Sequence, residues 1–268
     1  MFLLVVSLSP CSASAGHLVI ATRTRELWDY MPGSGQVTNP RPLNIPSNIA
    51  GMDTDSLGRM YLLTTISDSS LYRVNPQDGA VILIGPTGLG VVEGDLSFDP
   101  VSGILFGTSS ADRLFTINTQ TGTGTIVGAI NADDVSGLAF DPAGNLWALA
   151  SNTNTTDNAD LLLLDKTNGA VLSRRASGVD TNSTVGMDFH GNQLIVAVFG
   201  GHVFSADTAT GQFTAIDSIS VSAHDIAWVP EPSALAIAAT ALLAALAKST
   251  RRRRRYAALH AGIPRLRR

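Results

Sequence analysis

Three features of the sequence predict an all-β fold, a five-bladed β-propeller. One glycine-containing hairpin returns five times, a short apolar strand motif runs ahead of four of those hairpins, and charge is scarce along the chain. Of 268 residues, 44% are hydrophobic and 15% charged, with 25 glycines, a composition that favours strands and turns over helices. The length suffices for one large core.

The first element, residues 1–15, reads as an export signal. Met1-Phe-Leu-Leu-Val-Val-Ser-Leu is a short apolar run without a basic start, and Ala13-Ser14-Ala15 is a small-x-small site for cleavage before Gly16. Cys11, the sole cysteine, lies inside it, and Pro10 ahead of it does not suit a lipoprotein site. The exported chain then has no thiol, which excludes disulfide scaffolds, cysteine-ligated zinc and thiol catalysis.

Residues 16–229 form the predicted ring. "LYRVNPQDGA" from Leu71, "LFTINTQTGT" from Leu114, "LLLLDKTNGA" from Leu161 and "VFSADTATGQ" from Val203 align without gaps, and "LWDYMPGSGQ" from Leu27 shares their start and their glycine. Gly35, Gly79, Gly122, Gly169 and Gly211 follow one another at intervals of 44, 43, 47 and 42 residues. Each hairpin needs a glycine at positive φ, and Asn75, Asn118, Asp165 and Asp207 are placed to bond the loop backbone two residues on. The second motif, "GMDTD" at Gly51, "DLSFD" at Asp95, "GLAFD" at Gly137 and "GMDFH" at Gly186, supplies the first strand of each unit. Four short antiparallel strands at this period make a propeller blade.

The two ends complete the count. "HDIAWVP" near residue 225 fits the first-strand motif but has no blade after it, whereas residues 18–21 open a blade that lacks its first strand. Pairing 225–229 with 18–21 closes the ring through its own termini and leaves no open sheet edge between them. Met52, Leu96, Leu138, Met187 and Ile226 share one strand face with Phe98, Phe140, Phe189 and Trp228, as packing between blades requires.

Residues 230–255 have a different character. Pro230 and Pro232 end the last strand, residues 234–247 carry no charge, and Arg251, Arg252, Arg253, Arg254 and Arg255 follow. As a helix the uncharged run spans roughly 21 Å, short of a bilayer core of about 30 Å unless Lys248 snorkels. The arginines would hold its far end on the cytoplasmic side. A single C-terminal transmembrane helix is the expectation, with a basic cytoplasmic extension over residues 256–268. Residues 16–229 hold nine basic and 21 acidic residues, a poor surface for nucleic acid, so nucleic acid is not expected as a partner.

The order Pro230-Glu231-Pro232, apolar run, arginine cluster resembles the PEP-CTERM sorting signal of exopolysaccharide-producing Gram-negative bacteria. The resemblance implies recognition by an exosortase, a multi-spanning membrane protease, with Pro230, Glu231 and Pro232 as the sorting motif and Arg251 to Arg255 as the membrane stop. It implies an inner-membrane helix with the ring outside the cytoplasm, and after processing a protein at the cell surface or beyond. Extracellular polysaccharide or protein would be the ring's partner. This chain departs from the pattern in its alanine-rich helix and in the 13 residues after the arginines.

For chemistry in the ring, Asp53 and Asp188 share one register of the first-strand motif, while Asp95 and Asp225 stand two residues earlier on the same side. Four carboxylates converging on the axis are a candidate Ca²⁺ site; the alternative is that they bond backbone amides. "DTDSLG" from Asp53 matches half a calcium loop and reads better as a turn between strands. Glu26 and Glu93 are the ring's only glutamates and stand outside the motif, no G-x-S-x-G elbow occurs, and the histidines are scattered. The sequence therefore favours a non-catalytic binding module, the alternative being an extracellular hydrolase or lactonase-like enzyme with a Ca²⁺ in the channel.

Overall fold

The computed structural model describes residues 16–65, 69–109, 111–150, 158–181 and 185–230. Twenty strands form five four-stranded antiparallel sheets. Blade 1 combines β20 (Ala223–Pro230) with β1 (Gly16–Thr22), β2 (Glu26–Tyr30) and β3 (Val37–Pro42), in that spatial order. Blade 2 holds β4 (Ile49–Thr54), β5 (Met60–Thr64), β6 (Ser70–Val74) and β7 (Val81–Pro86). Blade 3 holds β8 (Leu96–Phe98), β9 (Leu105–Ser109), β10 (Arg113–Ile117) and β11 (Gly124–Ala129). Blade 4 holds β12 (Val135–Phe140), β13 (Leu146–Ala150), β14 (Asp160–Leu164) and β15 (Val171–Ala176). Blade 5 holds β16 (Val185–His190), β17 (Gln193–Val198), β18 (His202–Ala206) and β19 (Phe213–Ser218).

Closure follows the expected register. Leu18 lies opposite Trp228, Val19 opposite Ala227, Ile20 opposite Ile226 and Ala21 opposite Asp225, so the last strand among the described residues is the innermost strand of the first blade. A side-chain contact reinforces the same seam: the Tyr30 hydroxyl donates to Asp217 at 2.5 Å and the Gly33 N–H donates to the same carboxylate at 2.7 Å, joining blade 1 to blade 5.

Why these segments become blades is visible in the burial pattern. The inner strands, such as β4, β5, β12 and β13, are buried on both faces; the outermost, such as β7 and β11, are mostly half-buried or exposed. The apolar side chains sort into five clusters, one for each pair of adjacent blades: Ile49, Met52 and Val229 between blades 1 and 2, Leu96 and Phe115 between 2 and 3, Phe106 and Leu138 between 3 and 4, Met187 and Trp147 between 4 and 5, and Ile195 and Ile226 between 5 and 1. Five interfaces for five blades is the condition for a closed ring. Met52, Leu96, Leu138, Met187 and Ile226 are all at most 1% exposed, as their shared parity predicts.

The hairpin turns also conform. Gly79 has a φ of 74° and Gly122 of 82°, and the Gln77 and Gln120 N–H groups donate to the Asn75 and Asn118 side chains two residues before them. These glycines have a second duty. A Cβ on Gly79 would stand 2.8 Å from the Pro42 carbonyl oxygen of blade 1, and one on Gly169 3.0 Å from the Ala129 oxygen of blade 3, so each turn nests against the outer strand of the preceding blade.

Residues 1–15, 66–68, 110, 151–157, 182–184 and 231–268 lie outside the described residues, and with them fall the predicted signal segment, the C-terminal helix, Glu231, Pro232, the arginine cluster and most of the inserted loop at 151–160. Among the described residues no helix is long and apolar enough to cross a membrane.

Near the axis a glycine decides how closely two blades approach. A Cβ on Gly51 would lie 2.6 Å from the Asp95 Cα, and one on Gly186 would collide with the backbone and carboxylate of Asp225. Gly186→Ala should therefore destabilise the ring by about 1–3 kcal/mol, because the obstacle is backbone that cannot repack. Thermal unfolding of the variant beside the parent measures it.

Candidate functional site

The axis is where the five sheets meet. Each innermost strand is a sheet edge, and its inward N–H groups have no neighbouring strand to accept them. Two tiers of such amides ring the channel. The first comprises Met52, Leu96, Leu138, Met187 and Ile226; the second, two residues on, comprises Thr54, Phe98, Phe140, Phe189 and Trp228.

Four aspartates and one serine accept all of these amides. In the first tier Asp225 takes the N–H of Ile226 beside it at 2.6 Å and that of Met52 in the next blade. Asp95 takes Leu96 beside it at 2.6 Å, Leu138 in the next blade at 2.8 Å and Met187 in the blade after that at 3.4 Å. In the second tier Asp53 takes Thr54 and, in the next blade, Phe98, both at 2.6 Å. Ser97 takes Phe140 of the next blade at 3.0 Å; Asp188 takes Phe189 at 2.7 Å and, in the next blade, Trp228 at 2.5 Å. Every cross-blade bond runs in the same rotational sense. Blade 4 has Gly137 and Ala139 at these registers and offers no side-chain acceptor, which is why Asp95 reaches past it to Met187.

The sequence placed all four aspartates on one side of the inner strands, and the structure brings them together around the axis, Asp95 and Asp225 close enough for their carboxyls to hydrogen-bond. Among the described residues no group of three or more His, Cys, Asp or Glu side chains is arranged to hold a metal ion. The "DTDSLG" stretch is a turn between β4 and β5: Asp55 accepts the N–H groups of Leu57 and Arg59 at 3.0 and 2.9 Å, and Gly58 has a φ of 73°. Of the residues expected to form a sorting motif, Pro230 is the last of β20.

Burial has an electrostatic consequence. It raises the carboxyls of Asp53, Asp95 and Asp225 well above the ordinary aspartate range. The Asp188 charge adds to the effect on Asp53, and the Asp225 charge to that on Asp95. The same burial pushes Asp188 up to about 6, against the lowering influence of the two amides it accepts.

The second tier opens to solvent as a mouth of about 250 Å³ to which all five blades contribute: Asp53, Ser97 and Asp188 at its base, with Phe98, Phe140, Phe189 and Trp228 around them. Sequence reasoning assigned these rings to the core alone and passed over Ser97, although its register, that of Asp53 and Asp188, is the signal that finds it. His190 stacks on Trp228 with ring centroids 4.2 Å apart, and Lys166 lies 5.4 Å from the Phe140 centroid while pairing with Asp99 at 2.8 Å. A larger cleft of about 330 Å³, at the Asp133 loop between blades 3 and 4, holds Asp112, Asp133, Asp160 and Arg174. There Arg174 is paired with Asp160 at 2.7 Å, and the lining comes from blades 3 and 4 alone, whereas all five blades contribute to the axial mouth.

These features define a class: a closed five-bladed β-propeller whose axis is stitched by carboxylates. No protein-family model matches the chain, and no curated protein matches it in sequence. Among solved structures it is similar to a chain of the crystal structure of a nidogen/laminin complex, with a TM-score of 0.56 and 16% identity over 80% of this chain and 98% of that one. At that identity the likeness is one of fold.

Asp95→Ala leaves buried amides of Leu96, Leu138 and Met187 without an acceptor and should cost on the order of 3 kcal/mol or more in a denaturant titration, at roughly 1–3 kcal/mol for each orphaned group. The raised carboxyls also set the pH response. A carboxyl whose pKa rises on folding keeps its proton in the folded ring after the unfolded chain has released it. Its contribution to stability is full below the ordinary aspartate pKa and is lost as pH rises through the folded one. The melting temperature should fall between about pH 4 and pH 6, the window of Asp188, and Asp188→Asn should flatten that slope.

Proposed function

We propose that the chain is an exported protein whose propeller is a non-catalytic binding module, sorted to the cell surface through its C-terminal segment and associated with exopolysaccharide or biofilm matrix. One observation carries the reading. Gly16, the first residue after the expected signal cleavage, and Pro230, the first residue of the expected sorting motif, are partners in the closing strand pair, and every strand among the described residues lies between them. The compact unit that contains the blades runs from Ala15 to Pro230, which agrees with a module designed to be released whole.

In this reading an exosortase-type protease recognises Pro230, Glu231 and Pro232 while the apolar run sits in the inner membrane and Arg251 to Arg255 remain cytoplasmic. The non-catalytic part rests on the axis: its four aspartates accept backbone amides of their own and neighbouring strands, which gives each a structural duty.

Intact-mass measurement of the exported protein tests the sorting. The mature form should begin at Gly16 and lack Arg251 to Arg255, and replacing Glu231 by alanine should leave the uncleaved form in the membrane fraction. A surface-exposed protein that retains its arginines would rule out processing.

A further inference from the structure

The axial mouth holds groups that ring construction does not use up. A carboxylate offers about four acceptor positions, and Asp53 and Asp188 each give two of theirs to amides. Among the described residues neither has an ion-pair partner. Ser97, 3% exposed, accepts the Phe140 N–H, and its own hydroxyl proton has no acceptor among the described residues. The cations near the rim are already engaged, Lys166 with Asp99 and the Gly144 carbonyl, while His190 lies flat against Trp228.

An Asp188 carboxyl without an ion-pair partner, spare acceptor positions on Asp53, one unused hydroxyl donor beside them and aromatic walls above specify the complement. A ligand that suits them all has a cationic donor, an acceptor oxygen close to it and a body with C–H faces that pack on rings. A bare divalent cation does not suit them, since calcium takes six to eight oxygen ligands and only two carboxylates reach this mouth. A neutral sugar would leave the charge unpaired in a partly desolvated site.

We propose that the mouth binds an amino-sugar unit bearing a free ammonium group, the ammonium between Asp53 and Asp188, a sugar oxygen on the Ser97 hydroxyl and the ring against the aromatic walls. This rests on the reading of the propeller as a glycan-binding module and names the class of sugar it takes. The charged groups facing the site are Asp53 and Asp188, with Asp225 acting on Asp53 from the tier beneath, and at the rim His190 and the Lys166–Asp99 pair. Because the ammonium needs ionised carboxylates, binding should strengthen as pH rises through the range in which Asp188 loses its proton, about 6.

The test is calorimetric titration of the full chain in a neutral detergent with a fully de-N-acetylated glucosamine tetrasaccharide and with its N-acetylated counterpart. At pH 7 the amino form should bind about tenfold or more tightly than the acetyl form, the size of one charge-assisted contact. The preference should disappear in Asp188→Asn, whose fold is checked by circular dichroism, and in the unaltered protein it should fall about fivefold or more at pH 5. Equal affinity for the two sugars, or a preference that neither Asp188→Asn nor acid reduces, overturns the proposal. Secreted exopolysaccharide titrated in parallel separates the two readings: if it binds without any amino-sugar preference, only the ligand class is wrong, and if neither it nor the sugars bind, the glycan-binding module falls too.

Discussion

Five sheets arranged around an axis must each stop there, and a sheet that stops leaves half of its edge amides without partners. In this ring those amides are donated to carboxylates that lean from one blade to the next. An unsatisfied buried amide costs on the order of 1–3 kcal/mol, so the two tiers together represent a large fraction of what holds a domain folded. Aspartate fits this duty because its two oxygens can serve two strands at once. The Asn side chain has one such oxygen, and a longer acid would not stay beside its own N–H.

The same arrangement explains the glycines near the axis. Gly51 and Gly186 stand where the inner strand of the following blade, at Asp95 and Asp225, approaches too closely for a Cβ. Glycine on one blade lets the acid of the next stand close, and that acid bridges to the blade beyond, a single device. Its electrostatic cost is the gathering of four carboxyls within one narrow channel, which is met in two ways: burial raises Asp95 and Asp225 toward their neutral forms in the inner tier, and Asp188 keeps partial contact with solvent in the outer one. The outer tier thereby places Asp53, Ser97 and Asp188 at a solvent-facing mouth lined by aromatic rings.

Much of this was legible in the residues. The turn glycines, the strand parity of Met52 and its equivalents, and the pairing of 18–21 with 225–229 all follow from rules that act over a few residues or that count periods, and the structure agrees with each. The aspartates were legible as a set on one face. Their bonding to backbone amides was one of two readings the pattern allowed; the partners were not legible, since a one-dimensional pattern shows that Asp225 and Met52 face the same axis but not that one oxygen of the first accepts the N–H of the second across 173 positions of chain. Ser97 was missed because a serine in a strand carries no signal until its register is matched to Asp53 and Asp188. Asp217, which holds Tyr30 and Gly33 across the seam, has no motif at all.

The sequence by itself determined the number of blades, the strands within each and the way the ends meet, because periodicity and turn chemistry are local properties of the chain. The tertiary structure alone decided which amides the carboxylates take, how Asp95 passes over blade 4 to reach Met187, and which charges remain unpaired at the mouth. Those outcomes depend on distances of a few ångströms between strands far apart in sequence, and such distances come into being only when the ring closes.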